Sequence, residues 1–263
     1  MTYPPPSPVV RSPDDELDRA YDHFHSILEV QQAARKAIEL LTSLPEPEVN
    51  LAAMLRISVG RKSDHAADTY LEHARDVLAG MAAERYRGFQ VMRSSTLIAV
   101  CAAFEYVVKA TFVKQAIKDP ASAASLLADI PRIRVRLNAT DVLGAPETEL
   151  WYAIADEIFR QLAKDENHES MQKRVRRFLI ECTLLEADHK ALLAGAIDAY
   201  GDLDFNEPFL IRNCLVHNGR RVSRDLARLA GCRIGDPVEF DNGDLDRLLA
   251  PMCGVVNKLH GSF

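Results

Sequence analysis

The chain has no Cys-x-x-Cys pair, although it carries five cysteines, Cys101, Cys182, Cys214, Cys232 and Cys253. Scattered and odd in number, they make no disulfide framework or zinc cage and read as free thiols of a reducing compartment. Also missing are His-Glu-x-x-His, Gly-x-x-x-x-Gly-Lys-Ser/Thr, Gly-x-Gly-x-x-Gly and Gly-x-Ser-x-Gly. Without them, zinc-protease, P-loop, dinucleotide-binding and serine-hydrolase chemistry lose their sequence support. His23 and His25 stand one residue apart, so a helix points them to different faces, and no third ligand is obvious. No metal and no cofactor is expected. Apolar runs fall short of the roughly 18 residues that span a bilayer. The start, Met1-Thr-Tyr-Pro-Pro-Pro-Ser-Pro8, lacks the basic and apolar regions of a secretory signal. A soluble, cytoplasmic protein without membrane contact is the expectation. Internal repeats and convincing β-alternation are absent too.

What is there is ordinary globular text of 263 residues, 48% hydrophobic and 27% charged, enough for a substantial core. The net charge of −6 argues against a general nucleic-acid coat, yet binding follows the field at a patch. Between residues 205 and 235 the sign reverses: six arginines (212, 220, 221, 224, 228, 233) face two acids, Glu207 and Asp225.

Residues 1–12 read as a disordered proline-rich tail. Ser12-Pro-Asp-Asp15 opens a helix whose stripe, Leu17, Tyr21, Phe24, Leu28, Ile38 and Leu41, runs to Pro45. Residues 45–62 are ambiguous, and a second helix is expected over 64–86. These elements form an N-terminal helical extension, 13–89, either a hairpin on the main domain or an assembly surface. A helix over 91–118 is apolar on all sides, with Glu105 the only charge from Ser94 to Val108. Such a helix is central and buried, and here it reads as too short and too charged for a membrane span. Its carboxylate is costly unless paired or hydrogen-bonded. Beyond it, Arg132-Ile-Arg-Val-Arg136 reads as a strand or a basic loop. Helices follow at about 146–164, 168–181 and 186–200. The middle one carries Lys173, Arg174, Arg176 and Arg177, either a solvated face or an aid to phosphate binding. A short helix within 220–230, an extended piece at 232–240 and a last helix at 243–260, kinked or halved by Pro251, complete an all-α chain.

The stretch with most chemistry is Asn206-Glu-Pro-Phe-Leu-Ile-Arg212-Asn213-Cys-Leu-Val-His217-Asn-Gly219. It reads as a short helix with Asn206 as N-cap, Glu207 and Pro208 in the first turn and Gly219 past the end. Asn213 and His217, four apart, share a face, and Arg212 lies about 100° round from Asn213. Histidine moves protons near pH 7, and the guanidinium fork matches phosphate. RNA needs little more, because its own 2′-hydroxyl attacks the neighbouring phosphorus.

An arginine followed by a polar residue and, four to six residues on, a histidine resembles the signature of the HEPN superfamily, here of RiboL-PSP-HEPN type. Arg19 and His25 fit the bare spacing as well, but Ala20, not a polar residue, follows Arg19. The resemblance covers roughly 90–263, including Val238-Glu-Phe240 and the last helix. It implies an HEPN-like helical bundle over 90–263 and a metal-independent endoribonuclease, a toxin or antiviral effector. By that resemblance His217 is the acid/base, Arg212 the phosphate clamp and Asn213 an orienting amide. Glu105 is then either a satisfied structural acid or the group that holds Arg212. Arg220, Arg221, Arg224, Lys173, Arg174 and Arg177 are weaker RNA-binding candidates. Two such motifs facing each other in a homodimer supply two histidines, one to take a proton and one to give it. The alternative is a non-catalytic binding module, partner to a nucleotidyltransferase or antitoxin.

Overall fold

A computed structural model describes residues 13–59, 67–129, 147–163 and 170–260. Among these residues it is all-α, with eleven helices and no strand. In chain order they are α1 (Pro13–Ser43), α2 (Pro47–Val59), α3 (Ala67–Tyr86), α4 (Gln90–Lys118), α5 (Pro120–Asp129) and α6 (Glu147–Leu162). Then come α7 (Met171–Glu181), α8 (Ala187–Asp198), α9 (Asp202–His217), α10 (Arg224–Ala230) and α11 (Asn242–His260). The tail 1–12 and the 132–136 segment lie outside the described residues.

The organising element is α4. Leu97, Val100, Cys101, Phe104, Val108, Phe112 and Val113 are almost fully enclosed, because α1, α6, α7, α9 and α11 all pack on it. By length and composition alone this 29-residue helix could cross a bilayer, so the expectation that it is too short was wrong. Two-thirds of its most apolar window is nevertheless buried against the other helices. Its charged residue is accommodated as electrostatics requires: Glu105 lies 3.9 Å from Lys109, one turn on, and Lys109 also pairs with Asp156 of α6. At the helix's start the buried Arg93 guanidinium donates to Asn242 Oδ1 at 3.0 Å and to the carbonyls of Phe240 and Gly88. Burial pulls its pKa down from the ordinary arginine value.

The N-terminal extension divides in two. Leu17, Ala20 and Phe24 of α1 belong to the same core as α4 and α11, so the first half of α1 is integral to the main bundle. The stretch left open at 45–62 forms α2 within its described part, and α2 packs on α3 around a separate small core of Leu51, Ala74 and Leu78. Pro251 does not end α11, which runs on to His260 with Val255, Val256 and Leu259 buried. Between α10 and α11 the extended piece makes only one bridge, Arg221 to Pro237, closed over Gly235 at φ +87°.

Candidate functional site

The motif lies on α9, but the helix begins five residues earlier than its cap signal suggests. Gly201 precedes the first turn, where Asp202 and Asp204 place negative charge at the positive end of the dipole. Asn206 is therefore not the N-cap of α9, and Glu207 and Pro208 stand in mid-helix. Asn206 is buried and serves another helix: its Oδ1 accepts from the Gln172 N–H at the start of α7, 3.2 Å away. Its Nδ2 donates back to the Asp202 carbonyl. Substituting it with alanine removes both bonds, with an expected loss of about 1 kcal/mol in urea unfolding, typical of a lost cap.

Packing holds α9 in place. Phe205 and Phe209 meet Phe104 of α4 at ring separations of 5.9 and 6.1 Å. Glu207 takes both forks of Arg247 on α11, at 2.6 and 3.2 Å, which raises the arginine's pKa. After His217 the chain turns sharply. Gly219 and Arg220 both have positive φ, +59° and +63°, and the Arg220 N–H returns to the Cys214 carbonyl at 3.1 Å. Glycine at 219 was the correct stop signal.

On this frame a cleft of about 560 Å³ opens between the ends of α6 and α7, the middle of α9 and the outer face of α10. Arg212 and Asn213 line it, and so does Glu105 from α4. Arg212 Nη1 donates to Asn213 Oδ1 at 3.1 Å, so the two adjacent polar side chains form one unit. The arginine's Nε is sealed from solvent with no acceptor among the described residues. No hydrogen bond or ion pair joins Glu105 to Arg212; the carboxylate faces Lys109 instead. Both groups still act on the same buried atom, Cys101 Sγ: burial first, then Glu105, raise that thiol's pKa, and Arg212 opposes them.

His217 does not line this cleft. It is exposed at the last turn of α9, one turn beyond Asn213 and beside the exposed Val216. A single chain thus gathers Arg212 and Asn213 in a cleft and presents the histidine outside it.

The weaker candidates separate by what they already hold. Arg220 is engaged with Ser94 Oγ at 2.7 Å and with the Gln90 carbonyl, fastening the post-motif turn to α4. Arg221 donates to the Gly235 carbonyl at 2.8 Å. Arg177 pairs with Glu181 at 3.4 Å and Arg176 with Asp198 at 3.2 Å. Lys173 and Arg224 are exposed and without an ion pair among the described residues. Arg174 lines the cleft, its guanidinium 5.3 Å from the Phe159 ring centre. The alternative Arg19/His25 spacing makes no comparable site: Arg19 is exposed, and the His25 ring lies tilted against Tyr21, itself stacked on His260 at 3.8 Å. Among the described residues no cluster of three or more His, Cys, Asp or Glu side chains has the placement to hold a metal ion.

Sequence reasoning missed Arg228 and Asp225 of α10 and Ser170 and Asp202 at the facing helix ends, all in the cleft wall. For Arg228 the signal was available in the local arginine excess and in its four-residue spacing from Arg224. Compared with known proteins, the chain matches no protein-family model, no curated protein and no solved structure.

Proposed function

We propose that this chain is a HEPN-type endoribonuclease that cleaves RNA through its own 2′-hydroxyl, with Arg212 binding the scissile phosphate and His217 moving the proton. One observation carries the reading: Arg212 keeps a buried N–H without an acceptor among the described residues, inside an open cleft, paired with an adjacent amide. A buried donor without a partner is costly, and a phosphate oxygen is the acceptor a guanidinium fits best. In the reaction the 2′-oxygen bonds to phosphorus and loses its proton to a base. The phosphorus–O5′ bond breaks, and O5′ takes a proton from an acid. Arg212 balances the charge that builds on the non-bridging oxygens. The products are a 2′,3′-cyclic phosphate and a 5′-hydroxyl.

One imidazole does not serve as base and acid in the same step, and His217 stands outside its own chain's cleft. Both points are met if two copies pair through α9. Val216, 47% accessible, adjoins His217 at the exposed end of α9 and offers apolar area to a second copy there. Light scattering should then report twice the 29.3 kDa of one chain, at micromolar concentration or once RNA is added. A monomer under both conditions removes the composite site. Cleavage should also survive excess EDTA, since the proposed steps use only side chains and the 2′-hydroxyl.

The second reading is a non-catalytic helical module whose α9 face docks a nucleotidyltransferase or antitoxin, as toxin or antiviral systems use. The separation of His217 from the cleft favours it. It predicts RNA binding or partner binding with no strand scission.

A further inference from the structure

We infer that Arg228, on α10, is the second phosphate-binding cation of the cleft, acting with Arg212 on one phosphate group. The inference rests on reading the cleft as an RNA site and assigns a residue that lies outside the motif. Arg212 and Arg228 reach the same cleft from different helices, α9 and α10. Arg228 is exposed, and neither an ion pair nor a hydrogen bond engages its side chain among the described residues. Its neighbours in sequence differ: Arg220 and Arg221 are committed to Ser94 and to backbone carbonyls. Arg224, one turn before Arg228, has no place in the cleft wall.

The position of Arg228 is built rather than incidental. Helix α10 is capped at its start by Ser223, whose Oγ accepts from the Leu226 N–H at 3.2 Å. Gly231 ends it in the left-handed conformation at φ +70°. Leu226 buries its inner face, which leaves Arg228 and Leu229 to the cleft side.

Charge arithmetic decides what the site can take. The cleft's three arginines, 174, 212 and 228, are balanced by Glu105, Asp202 and Asp225. Such a wall exerts little net field, so an anion is held only by direct contact. Two of the acids already have partners: Glu105 faces Lys109, and Asp202 accepts from Ser170 Oγ within the cleft wall at 3.1 Å. Asp225, three residues before Arg228 on the same helix, is neither hydrogen-bonded nor ion-paired among the described residues. It opposes the phosphate and keeps Arg228 from holding an anion too tightly. Arg228 and Asp225 should therefore act with opposite signs.

The test is binding of a fully 2′-O-methyl RNA oligomer, which lacks the nucleophile, and separately of inorganic pyrophosphate, to the full-length chain. Arg228→Ala should weaken RNA binding about tenfold, the worth of one charge-assisted bond. The slope of log affinity against log salt should fall by about 0.7. Arg228→Lys should restore part of the affinity and all of the slope, while Asp225→Asn should tighten binding. Arg224→Ala, an exposed arginine on the same helix, should change affinity less than twofold. Equal effects of Arg228→Ala and Arg224→Ala, or no tightening by Asp225→Asn, overturn the inference even if RNA is cleaved. Pyrophosphate binding that depends on both Arg212 and Arg228, with no RNA binding, keeps the two-arginine site and removes the RNA reading. Binding of neither probe to the wild-type chain removes both.

Discussion

Replacing His217 by alanine is expected to lower RNA cleavage by about 10²–10⁴, the usual worth of a positioned general acid or base. Its helical circular dichroism and melting temperature should stay close to wild type. The side chain is exposed at the end of α9 and has no hydrogen-bond partner among the described residues, so little packing is lost. Arg212→Ala should lose about 10²–10³ for a different reason, the missing charge at the phosphate. Arg212→Lys should recover only part of that, because a point charge replaces the fork that binds two oxygens. If His217→Ala cleaves at the wild-type rate, the histidine has no chemical role and the binding module is the better account.

The second large effect concerns stability. Phe104→Ala should cost about 3–5 kcal/mol in urea unfolding, since a fully enclosed ring leaves a cavity that its neighbours fill only in part. The loss should reach function as well. Phe104 meets Phe205 and Phe209 of α9, and Phe209 also lines the cleft. Phe112→Ala is the matched control. It too is buried on α4, but among Trp151 and Phe178, away from α9. Both variants should be destabilised alike, and at a temperature where both are folded only Phe104→Ala should weaken RNA binding. A cost below about 1 kcal/mol for Phe104→Ala would mean that α4 is not the organising core helix.

The all-α class was readable because most helices carry their own start, stop and apolar stripe. The run from Ser94 to Val108 announced a buried helix, and the structure encloses it on nearly every side. Cap signals were less safe. Asn206 looked like a cap for α9, yet its side chain accepts the Gln172 N–H in the first turn of α7, whose own N-cap is Ser170. Only tertiary placement decides which orphan N–H an asparagine meets. Pro208 was read into a first turn but sits buried in mid-helix, and Pro251, read as a kink or an end, sits buried inside a helix that runs on. The motif's spacing correctly put Arg212 and Asn213 on one helix. It could not tell that α10 and the start of α7 close a cleft over those two residues and leave His217 outside. Glu105 shows the same limit: its need for a partner was legible, and the choice of Lys109 over Arg212 was set by helix geometry. Likewise Arg220 and Arg221 count toward a basic segment in the sequence, while the fold engages both in its own turns.

The most direct measurement is the chemical identity of the ends left on a defined RNA oligomer after incubation with the purified protein in EDTA, read by mass spectrometry. The account predicts fragments carrying a 2′,3′-cyclic phosphate paired with fragments carrying a 5′-hydroxyl, and none from the all-2′-deoxy oligomer. Fragments with 5′-phosphate and 3′-hydroxyl ends, equal cutting of the deoxy oligomer, or intact RNA would contradict it.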